Sequence, residues 1–289
     1  MAADRIITCE NVDGVSLTFS ETGFNPFLLA KASGIYDANN SIYTSNNTMI
    51  DGAEYQGSVM STRNIVLTIK DKKPFADNRD ILSVLFDKKA PGLLTVFDED
   101  HERQIEYYVE SISATAKPDV RTTTVSLLCP NPYFYDPYET RQAIMDIQPG
   151  FEFPHEFIED GEEFSWFNPS RIINMINDSA DDEMGLTITV TCIDDVVDPA
   201  VVKIDTNEQL ALSGFTLHPG DTLIFTTTIG HKNVQLIHDG VATDINQYLT
   251  DDSVFYQLTR GENHFGIIAD TGRDYMITYI ACRYKYLRA

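Results

Sequence analysis

The chain has 289 residues, of which 43% are hydrophobic, 22% charged and 11% aromatic. This is the composition of a folded globular protein with either one large β-rich domain or two smaller ones. The formal net charge is −23, from 21 Lys and Arg against 44 Asp and Glu. Because Lys and Arg supply the sequence-independent affinity for phosphates, this charge argues against direct nucleic-acid binding, sequence-specific contacts included.

The acidic residues are unevenly distributed along the chain. Residues 1–130 carry 12 basic and 18 acidic side chains, whereas residues 131–289 carry 9 and 26. This difference indicates two halves that are built differently. The N-terminal MAADRIITCE has no apolar signal segment, and no window approaches the roughly 20 apolar residues of a membrane helix. We therefore expect no membrane insertion, and synthesis in a reducing cytosol.

The four cysteines lie far apart in apolar, strand-like runs. No Cys-x-x-Cys pair and no His at zinc-ligand spacing accompanies them. We expect buried, reduced thiols that pack as small hydrophobic residues, with disulfides or metal ligation as the alternative. The residues are Cys9, Cys129, Cys192 and Cys282.

Short runs of alternating apolar and polar residues in the first half predict antiparallel strands with one face toward a core. The runs are RNIVLTIK (63–70), RQIEYYVESIS (103–113) and TTTVSLLC (122–129). The residues predicted to face the core are Ile65, Leu67, Ile69, Ile105, Tyr107, Val109, Val125, Leu127 and Cys129.

The segment PNPYFYDPY (130–138) follows the last of these strands. Its three prolines lack backbone donors, so the strand cannot continue in a ladder. We expect the segment to end the strand and to cover the sheet with its aromatic side chains, which are Tyr133, Phe134, Tyr135 and Tyr138.

One helix is predicted, over about residues 77–90. Apolar residues recur there at helical spacing, acidic residues lie near the start, and Lys88 and Lys89 lie near the end. Pro91 and Gly92 are expected to stop it. The predicted apolar stripe consists of Ile81, Leu82, Leu85 and Phe86.

An acidic cluster with one histidine, DEDHE (98–102), joins two predicted strands. A metal site is conceivable there, but a solvated hairpin turn is the favoured interpretation. We therefore predict no metal site.

The acidic stretch DIQPGFEFPHEFIEDGEE (146–163) is punctuated by Pro and Gly and has no periodicity. It predicts a linker between an N-terminal domain, residues 1–145, and a C-terminal domain, residues 164–289. The second half again consists of short strands at intervals of about ten residues, without a helix, which favours a β-sandwich or jelly roll. The predicted strands are 185–193, 200–205, 221–229, 233–245 with a turn at Asp239 and Gly240, 253–258, 263–269 and 274–287.

No catalytic or cofactor-binding motif is present. The sequence lacks a nucleophile elbow, a P-loop, a Gly-rich dinucleotide loop, a zinc-protease helix and an EF-hand loop. The six histidines stand singly, mostly beside turns. We predict no enzyme activity and no cofactor.

Four aromatic residues of the second half suggest a sugar-stacking platform, with core or interface packing as the favoured alternative. They are Trp166, Tyr248, Phe255 and Tyr256. A protein that binds a cell-surface glycan through a carbohydrate-binding module is the corresponding alternative function.

The order and spacing of several segments resemble the distal tail protein (Dit) family of tailed bacteriophages and phage tail-like particles. In the first half these are DGVSLTF (13–19), DGAEYQGSVMSTRNIVLTIK (51–70), the helix that runs into PGLL (91–94), and CPNPYFYD (129–136). In the second half they are PGDTLIFTT (219–227), SVFYQLTRGENHFGI (253–267) and the terminal YKYLRA. The turn TRGEN (259–263) departs from the family by lacking a proline before its glycine.

The resemblance implies a mainly β chain with two antiparallel β-sandwich domains, the first with one α-helix and the second galectin-like or jelly-roll. It implies a homo-oligomer, a hexameric ring at the end of the tail tube, which joins the tail tube protein to the central hub or spike protein and often carries receptor-binding proteins or fibres. The expected location is the virion tail tip, after assembly in the host cytoplasm. The resemblance implies no catalytic residue.

The stretch GIYDANNSIYTSNNTMIDG (34–52) has few core residues yet carries several large apolar ones. We expect a hairpin arm that lies on a neighbouring copy, where its tyrosines supply contact area. The predicted oligomer-interface residues are Tyr36, Ile42, Tyr43, Met49, Ile50 and Tyr55.

Overall fold

The structure is a computed structural model, and it describes residues 5–23, 26–46, 51–73, 75–86, 89–98, 101–143, 146–149, 165–168, 172–179 and 183–289. Internal contacts divide the chain into unit 1, Met1–Pro137 with Lys285–Ala289, and unit 2, Tyr138–Tyr284. Unit 2 is therefore inserted between two stretches of unit 1. The last five residues, which we expected in the C-terminal domain, belong to unit 1. Most of the expected linker 146–163 lies outside the described residues, so the linker stays a prediction.

In its described residues, unit 1 contains strands of 2 to 16 residues and one helix before the chain passes into unit 2. In chain order they are β1 (Ile6–Asn11), β2 (Ser16–Ser20), β3 (Phe27–Ser33), β4 (Asn40–Ser45), β5 (Glu54–Met60), β6 (Arg63–Lys72), α1 (Phe75–Leu85), β7 (Pro91–Asp98), β8 (His101–Ala116), β9 (Val120–Cys129) and β10 (Phe134–Tyr135).

Unit 2 follows with strands and two single-turn 3₁₀ helices, at Asn246–Tyr248 and Arg273–Tyr275. The strands are β11 (Thr140–Ala143), β12 (Asp146–Pro149), β13 (Ser165–Asn168), β14 (Ile172–Asn177), β15 (Glu183–Met184), β16 (Thr187–Cys192), β17 (Val196–Val197), β18 (Ala200–Lys203), β19 (Glu208–Ala211), β20 (Thr216–Leu217), β21 (Thr222–Thr226), β22 (Asn233–His238), β23 (Val241–Asp244), β24 (Leu258–Thr259), β25 (Gly261–Ile268) and β26 (Met276–Cys282), and β27 (Lys285–Tyr286) returns to unit 1.

Unit 1 has an antiparallel sheet in the order β2-β1-β7-β8-β9-β6-β3, extended by β10, which pairs with β8 and with β27. The two end strands of this order approach each other, because the rings of Phe19 in β2 and Phe27 in β3 lie 5.9 Å apart, edge to face. The sheet therefore curls around its own core. Every core-facing position predicted for 63–70, 103–113 and 122–129 is at most 7% exposed, which confirms these three strands.

The predicted helix exists, but its limits were wrong: it spans Phe75–Leu85 instead of 77–90. Leu82, Leu85 and Phe86 are buried as expected, whereas Ile81 is exposed. Phe86 lies just beyond the helix, and its ring stacks on that of Phe19 at 6.4 Å. Pro91 and Gly92 do not stop the helix. They open β7, where the ring of Tyr107 lies so close to Gly92 that a Cβ there would come within 2.3 Å of it.

A buried ion pair underlies the start of α1. The guanidinium of Arg121 donates to both carboxylate oxygens of Asp71, at 3.1 and 2.8 Å, and to the carbonyl of Phe75 at 2.9 Å. Asn78 of the helix donates to the same carboxylate at 3.2 Å and to the carbonyl of Lys72 at 2.9 Å. Because both charges are removed from water, their favourable energy depends on this complete set of partners.

Unit 2 is a two-sheet sandwich. One sheet has the order β11-β26-β16-β21-β22-β23 and the other the order β14-β25-β18-β19. Both sheets contribute to one apolar core, which includes Ile188, Phe225, Ile280, Met175, Val201 and Phe265. The predicted class, mainly β with sandwich-type sheets and one helix in the first unit, is confirmed.

The second half matches its predicted hairpin turn and departs from one predicted strand. Asp239 and Gly240 both have positive φ angles, 49° and 77°, and join β22 to β23 as a two-residue turn, as predicted. The predicted strand 253–258 was wrong, because its backbone does not form a continuous ladder: Ser253 donates to Thr250 and Tyr256 to Val254, and Val254 donates to the distant Gln209. Of this run only Leu258 lies in a strand, β24.

The four cysteines are buried and free of disulfides. Burial raises the pKa of the Cys129 thiol to about 12 and that of the Cys192 thiol to about 11. These thiols are therefore protonated at neutral pH and serve as packing groups. Among the described helices, none has the length and apolar character required to cross a bilayer.

We predict that Asp71→Ala lowers the free energy of unfolding by about 3–5 kcal/mol, because it leaves the Arg121 guanidinium buried without its counter-ion. Urea denaturation monitored by circular dichroism measures the change. Asp80→Ala is the matched control, since Asp80 pairs with Arg79 on the surface and its loss should have little measurable effect. Equal effects of the two substitutions would show that the buried pair does not anchor the helix.

Candidate assembly surface

Strands β4 and β5 form a two-stranded sheet of their own, which we call the arm. Its described residues are 40–46 and 51–60. Within the described part of the chain, the arm makes no ladder with the curled sheet of unit 1. An isolated two-stranded ribbon is marginally stable in water, so the arm needs a surface to pack on.

The arm carries large apolar side chains on both of its faces. Directly paired residues of two strands point to the same side, and the register shifts once after Tyr43. This places Tyr43 and Val59 on one face, and Ile42 and Tyr55 on the other. The hydroxyl of Tyr55 donates to Ser58, the residue paired with Ile42, at 2.9 Å, which agrees with that assignment.

These four side chains are among the most exposed apolar groups of unit 1. Their exposed fractions are 64% for Ile42, 56% for Tyr43, 62% for Tyr55 and 54% for Val59. Apolar groups clustered at this exposure are typical of protein interaction surfaces. The arm thus brings together three of the predicted interface residues and adds Val59. Met49 and Ile50, also predicted, lie outside the described residues.

Tyr36 is a predicted interface residue whose side-chain partners lie in unit 1 outside the arm. It precedes the arm, its hydroxyl donates to the carboxylate of Asp98, and the guanidinium of Arg5 lies 4.9 Å from the centre of its ring. Burial, and then the hydrogen bond to Asp98, raise the pKa of the Tyr36 phenol. The Tyr36 side chain therefore already has partners in its own unit.

The base of the arm is closed by two hydrogen bonds. The amide of Ser61 donates to the carbonyl of Asn39 at 2.9 Å, and the hydroxyls of Ser41 and Ser61 lie 2.7 Å apart. Arg63 follows two residues later at the start of β6. The closed base of the arm therefore ends two residues before Arg63.

The Arg63 guanidinium binds backbone carbonyls from three stretches of unit 1. Its Nε donates to Pro132 at 2.8 Å, in the proline-rich segment, and its Nη2 donates to Leu287 at 2.6 Å. Its Nη1 contacts the carbonyls that lead into the arm, those of Gly34 at 2.7 Å, Ile35 at 3.2 Å and Asp37.

Arg63 is almost completely buried, with 4% of its surface exposed. Its guanidinium carbon lies 5.0 Å from the centre of the Phe134 ring. Burial lowers the pKa of Arg63, since the charged form has lost its water. A buried charge must replace its lost hydration with hydrogen bonds, so Arg63 draws the three carbonyl-bearing stretches together.

Gly34 is required where the chain passes Arg63. Its φ angle is +84°, and a Cβ at this position would lie 2.0 Å from the backbone oxygen of Asn64. A side chain would therefore be strained by the backbone conformation and would collide with β6.

Three of the four residues of the predicted sugar platform have described side chains, and one of these three is not at the surface. Tyr256 is buried, and its hydroxyl donates to the carbonyl of Val201 at 3.1 Å, so its ring is a core element and that part of the prediction was wrong. Phe255 packs against the core, while Tyr248 is partly exposed and leans on Phe215 at 5.4 Å. The Trp166 side chain lies outside the described residues, so the glycan-binding alternative stays a prediction.

Of the five histidines that the structure describes, three are paired with an aspartate through Nδ1. The pairs are His218 with Asp195 at 2.8 Å, His238 with Asp221 at 2.6 Å, and His264 with Asp205 at 2.8 Å. Among the described residues, no group of three or more His, Cys, Asp or Glu side chains is placed to hold a metal ion.

Sequence reasoning missed Arg63, Asp71 and Arg121 as structural centres. The signal was present, because residues that alternate with solvent-facing ones along a strand share one face. In β6, Arg63 and Asp71 have the same parity as the buried Ile65, and in β9 Arg121 has the parity of the buried Val125. A charged residue at a core-facing position must find partners, and this requirement identifies it.

The overall fold of this chain is similar to that of solved phage proteins. The SPP1 Dit protein has this fold, with a TM-score of 0.69 over 97% of this chain and 99% of that one, at 14% sequence identity. It is described as a paradigm of the hub adsorption apparatus of phages that infect Gram-positive bacteria.

Two structures of the phage P2 baseplate in its activated conformation contain chains of the same fold. The structure with Ca has a TM-score of 0.53 at 10% identity and covers 100% of both chains. The structure with Sr has a TM-score of 0.51 at 10% identity and covers 99% of both. No protein-family model matches the sequence, and no curated protein matches it.

We predict that Gly34→Ala lowers the free energy of unfolding by at least about 1–3 kcal/mol, from backbone strain and the collision with Asn64. Thermal or urea unfolding measures this. Gly14→Ala is the matched control in the same unit, because its φ angle is +77° but no atom lies within 4 Å of the added methyl group. If the two variants are equally stable, close approach at Gly34 contributes nothing.

We predict that His238 titrates above its ordinary value of about 6.5. Its pKa is raised, first by the hydrogen bond to Asp221 and then by the charges of Asp239 and Asp221. Because the folded pKa is the higher one, the stabilisation is complete below the unfolded pKa and is lost as the pH rises through the folded pKa. NMR titration measures the pKa, which Asp221→Asn should lower more than Asp239→Asn does. A wild-type value at or below 6.5 would contradict the pairing.

Proposed function

We propose that this protein is a structural hub of the tail tip or baseplate of a phage or phage-like particle. The observation that carries the proposal is the similarity of fold to the SPP1 Dit protein over nearly the whole of both chains. A likeness restricted to one sandwich would have little functional meaning, since sandwich folds serve many functions. Here the similarity covers 97% of this chain and 99% of the SPP1 Dit chain.

We further propose that the chain assembles as a homo-oligomeric ring of six copies at the virion tail tip. The arm supports self-assembly, because a ribbon that is apolar on both faces can be covered only by other surfaces. Closed rings are a common solution for identical chains with a head-to-tail contact. Apolar contacts would also offset the electrostatic repulsion between neighbouring copies, since each copy is acidic.

The proposed partners follow from a position between tube and spike. They are the tail tube protein, the central hub or spike protein, and receptor-binding proteins or fibres. The net charge of −23 supports protein partners over nucleic acid. The proposed role requires no catalytic step, and its chemistry is limited to protein–protein contact.

We predict that the purified chain, at tens of micromolar or with its tail partners, forms a species of six times its 32.5 kDa mass. Size-exclusion chromatography with light scattering, followed by electron microscopy, measures this. The double variant Tyr43→Ser, Val59→Ser should weaken assembly by roughly tenfold for each side chain that is buried in the contact.

Val241→Ser is the matched control for the arm variants. Val241 is 65% exposed on the β22–β23 hairpin of unit 2, and its replacement should leave the assembled mass unchanged. A chain that stays monomeric under every condition above, with no ring visible beside its tail partners, would overturn the proposed function. If the arm variants assemble as the unchanged chain does, the arm is not part of the interface.

A further inference from the structure

Arg63 connects the arm to the place where the chain returns from unit 2. Nη1 holds the carbonyls that lead into the arm, and Nη2 of the same guanidinium holds the carbonyl of Leu287. Leu287 belongs to Lys285–Ala289, the part of unit 1 that follows unit 2 in the chain, which we call the return segment. One rigid, planar guanidinium group therefore bonds both to the stretch that leads into the arm and to the return segment.

The return segment has a second set of contacts that do not involve Arg63. The hydroxyl of Tyr286 donates to Asp136 at 3.0 Å, and Tyr286 pairs with Phe134 between β27 and β10. The guanidinium carbon of Arg103 lies 3.3 Å from the centre of the Tyr286 ring, and Arg103 also donates to the carbonyl of Arg288 at 3.2 Å. These contacts allow the segment to be loosened by substitution without altering Arg63.

Arg63 also holds the stretch from which the chain departs toward unit 2. Its Nε donates to Pro132, and the chain enters unit 2 at Tyr138. The departing stretch and the returning stretch thus share one buried cation with the base of the arm. A displacement of either stretch removes an acceptor from a charge that has little access to water.

We propose that Arg63 is a positioning residue that couples the orientation of the arm to the position of the return segment. Loss of the Leu287 acceptor leaves an Nη2 donor of a buried cation unsatisfied, which is strongly unfavourable. The guanidinium then shifts toward other acceptors and takes the carbonyls of Gly34, Ile35 and Asp37 with it. The arm base, closed between Asn39 and Ser61, loosens. The consequence for the assembled hub rests on the proposed function, in which the arm docks on a neighbouring copy. There, a force on unit 2 that displaces the return segment would shift the arm through Arg63.

A double-mutant cycle on the full chain tests the coupling. Tyr286→Ala loosens the return segment, and Arg63→Lys keeps the charge but removes the planar fork of donors. The readout is hydrogen exchange of the Ser61 amide, with the β1–β7 ladder as the internal reference. We expect Tyr286→Ala to raise the exchange rate at Ser61 by roughly tenfold with Arg63 present and by less than about twofold with Arg63→Lys. Equal effects in both backgrounds would overturn the proposal.

A second perturbation keeps the test valid if Arg63→Lys does not fold. Arg103→Ala removes the other hold on the return segment and leaves Arg63 in place. Both Arg103→Ala and Tyr286→Ala should then raise exchange at Ser61, whereas Tyr286→Phe, which keeps the ring on Arg103, should raise it less than Tyr286→Ala does. No change at Ser61 in either alanine variant would refute the coupling.

The same samples separate this inference from the proposed function. Light scattering reports the oligomeric mass, and hydrogen exchange reports the arm base. A monomer whose arm base responds to Tyr286→Ala would remove the assembly role and leave the coupling intact. A ring whose arm base does not respond would keep the assembly role and overturn the coupling.

Discussion

The burial of the Arg63 charge is the constraint on which the organisation of unit 1 depends. A guanidinium removed from water must be surrounded by acceptors, and here they are backbone carbonyls that belong to distant parts of the sequence, from Gly34 to Leu287. Backbone carbonyls cannot be supplied by a flexible side chain, so whole stretches of chain must lie at fixed positions. The start of the arm, the proline-rich segment and the return segment are held together for this reason.

The arm and the sandwich differ in how the apolar faces of their strands are buried. In unit 2, both sheets bury their apolar faces against each other, and the core is complete within the chain. In the arm, two strands have apolar side chains on both faces and no second sheet in the described residues to cover them. A sandwich buries its apolar faces internally, whereas an isolated two-stranded ribbon is only marginally stable in water.

The strands of unit 1 were predictable because one face of each is buried. In β6, the alternation from Ile65 to Ile69 identifies the core face directly. The alternation fails at 253–258, where the backbone bonds partly to nearby turns and partly to Gln209 instead of forming a continuous ladder, while Tyr256 and Leu258 still fill the core. An apolar pattern reports which side chains are buried, but it does not report where the backbone donors go. The predicted limits of the helix were wrong for a related reason. Pro91 and Gly92 were predicted to stop it, but they belong to a strand, in which Gly92 packs tightly on Tyr107.

The sequence by itself determined the mainly β class, the presence of one helix, the buried thiols and the apolar character of the arm. All of these follow from local periodicity and composition, which a linear chain displays. Only the tertiary structure decided that the last five residues join unit 1, that Tyr256 is core, and that Arg63 binds carbonyls up to 224 positions away. Every residue type has a backbone carbonyl, so the pattern of side chains does not indicate which carbonyl accepts a hydrogen bond. Only the folded chain identifies that acceptor.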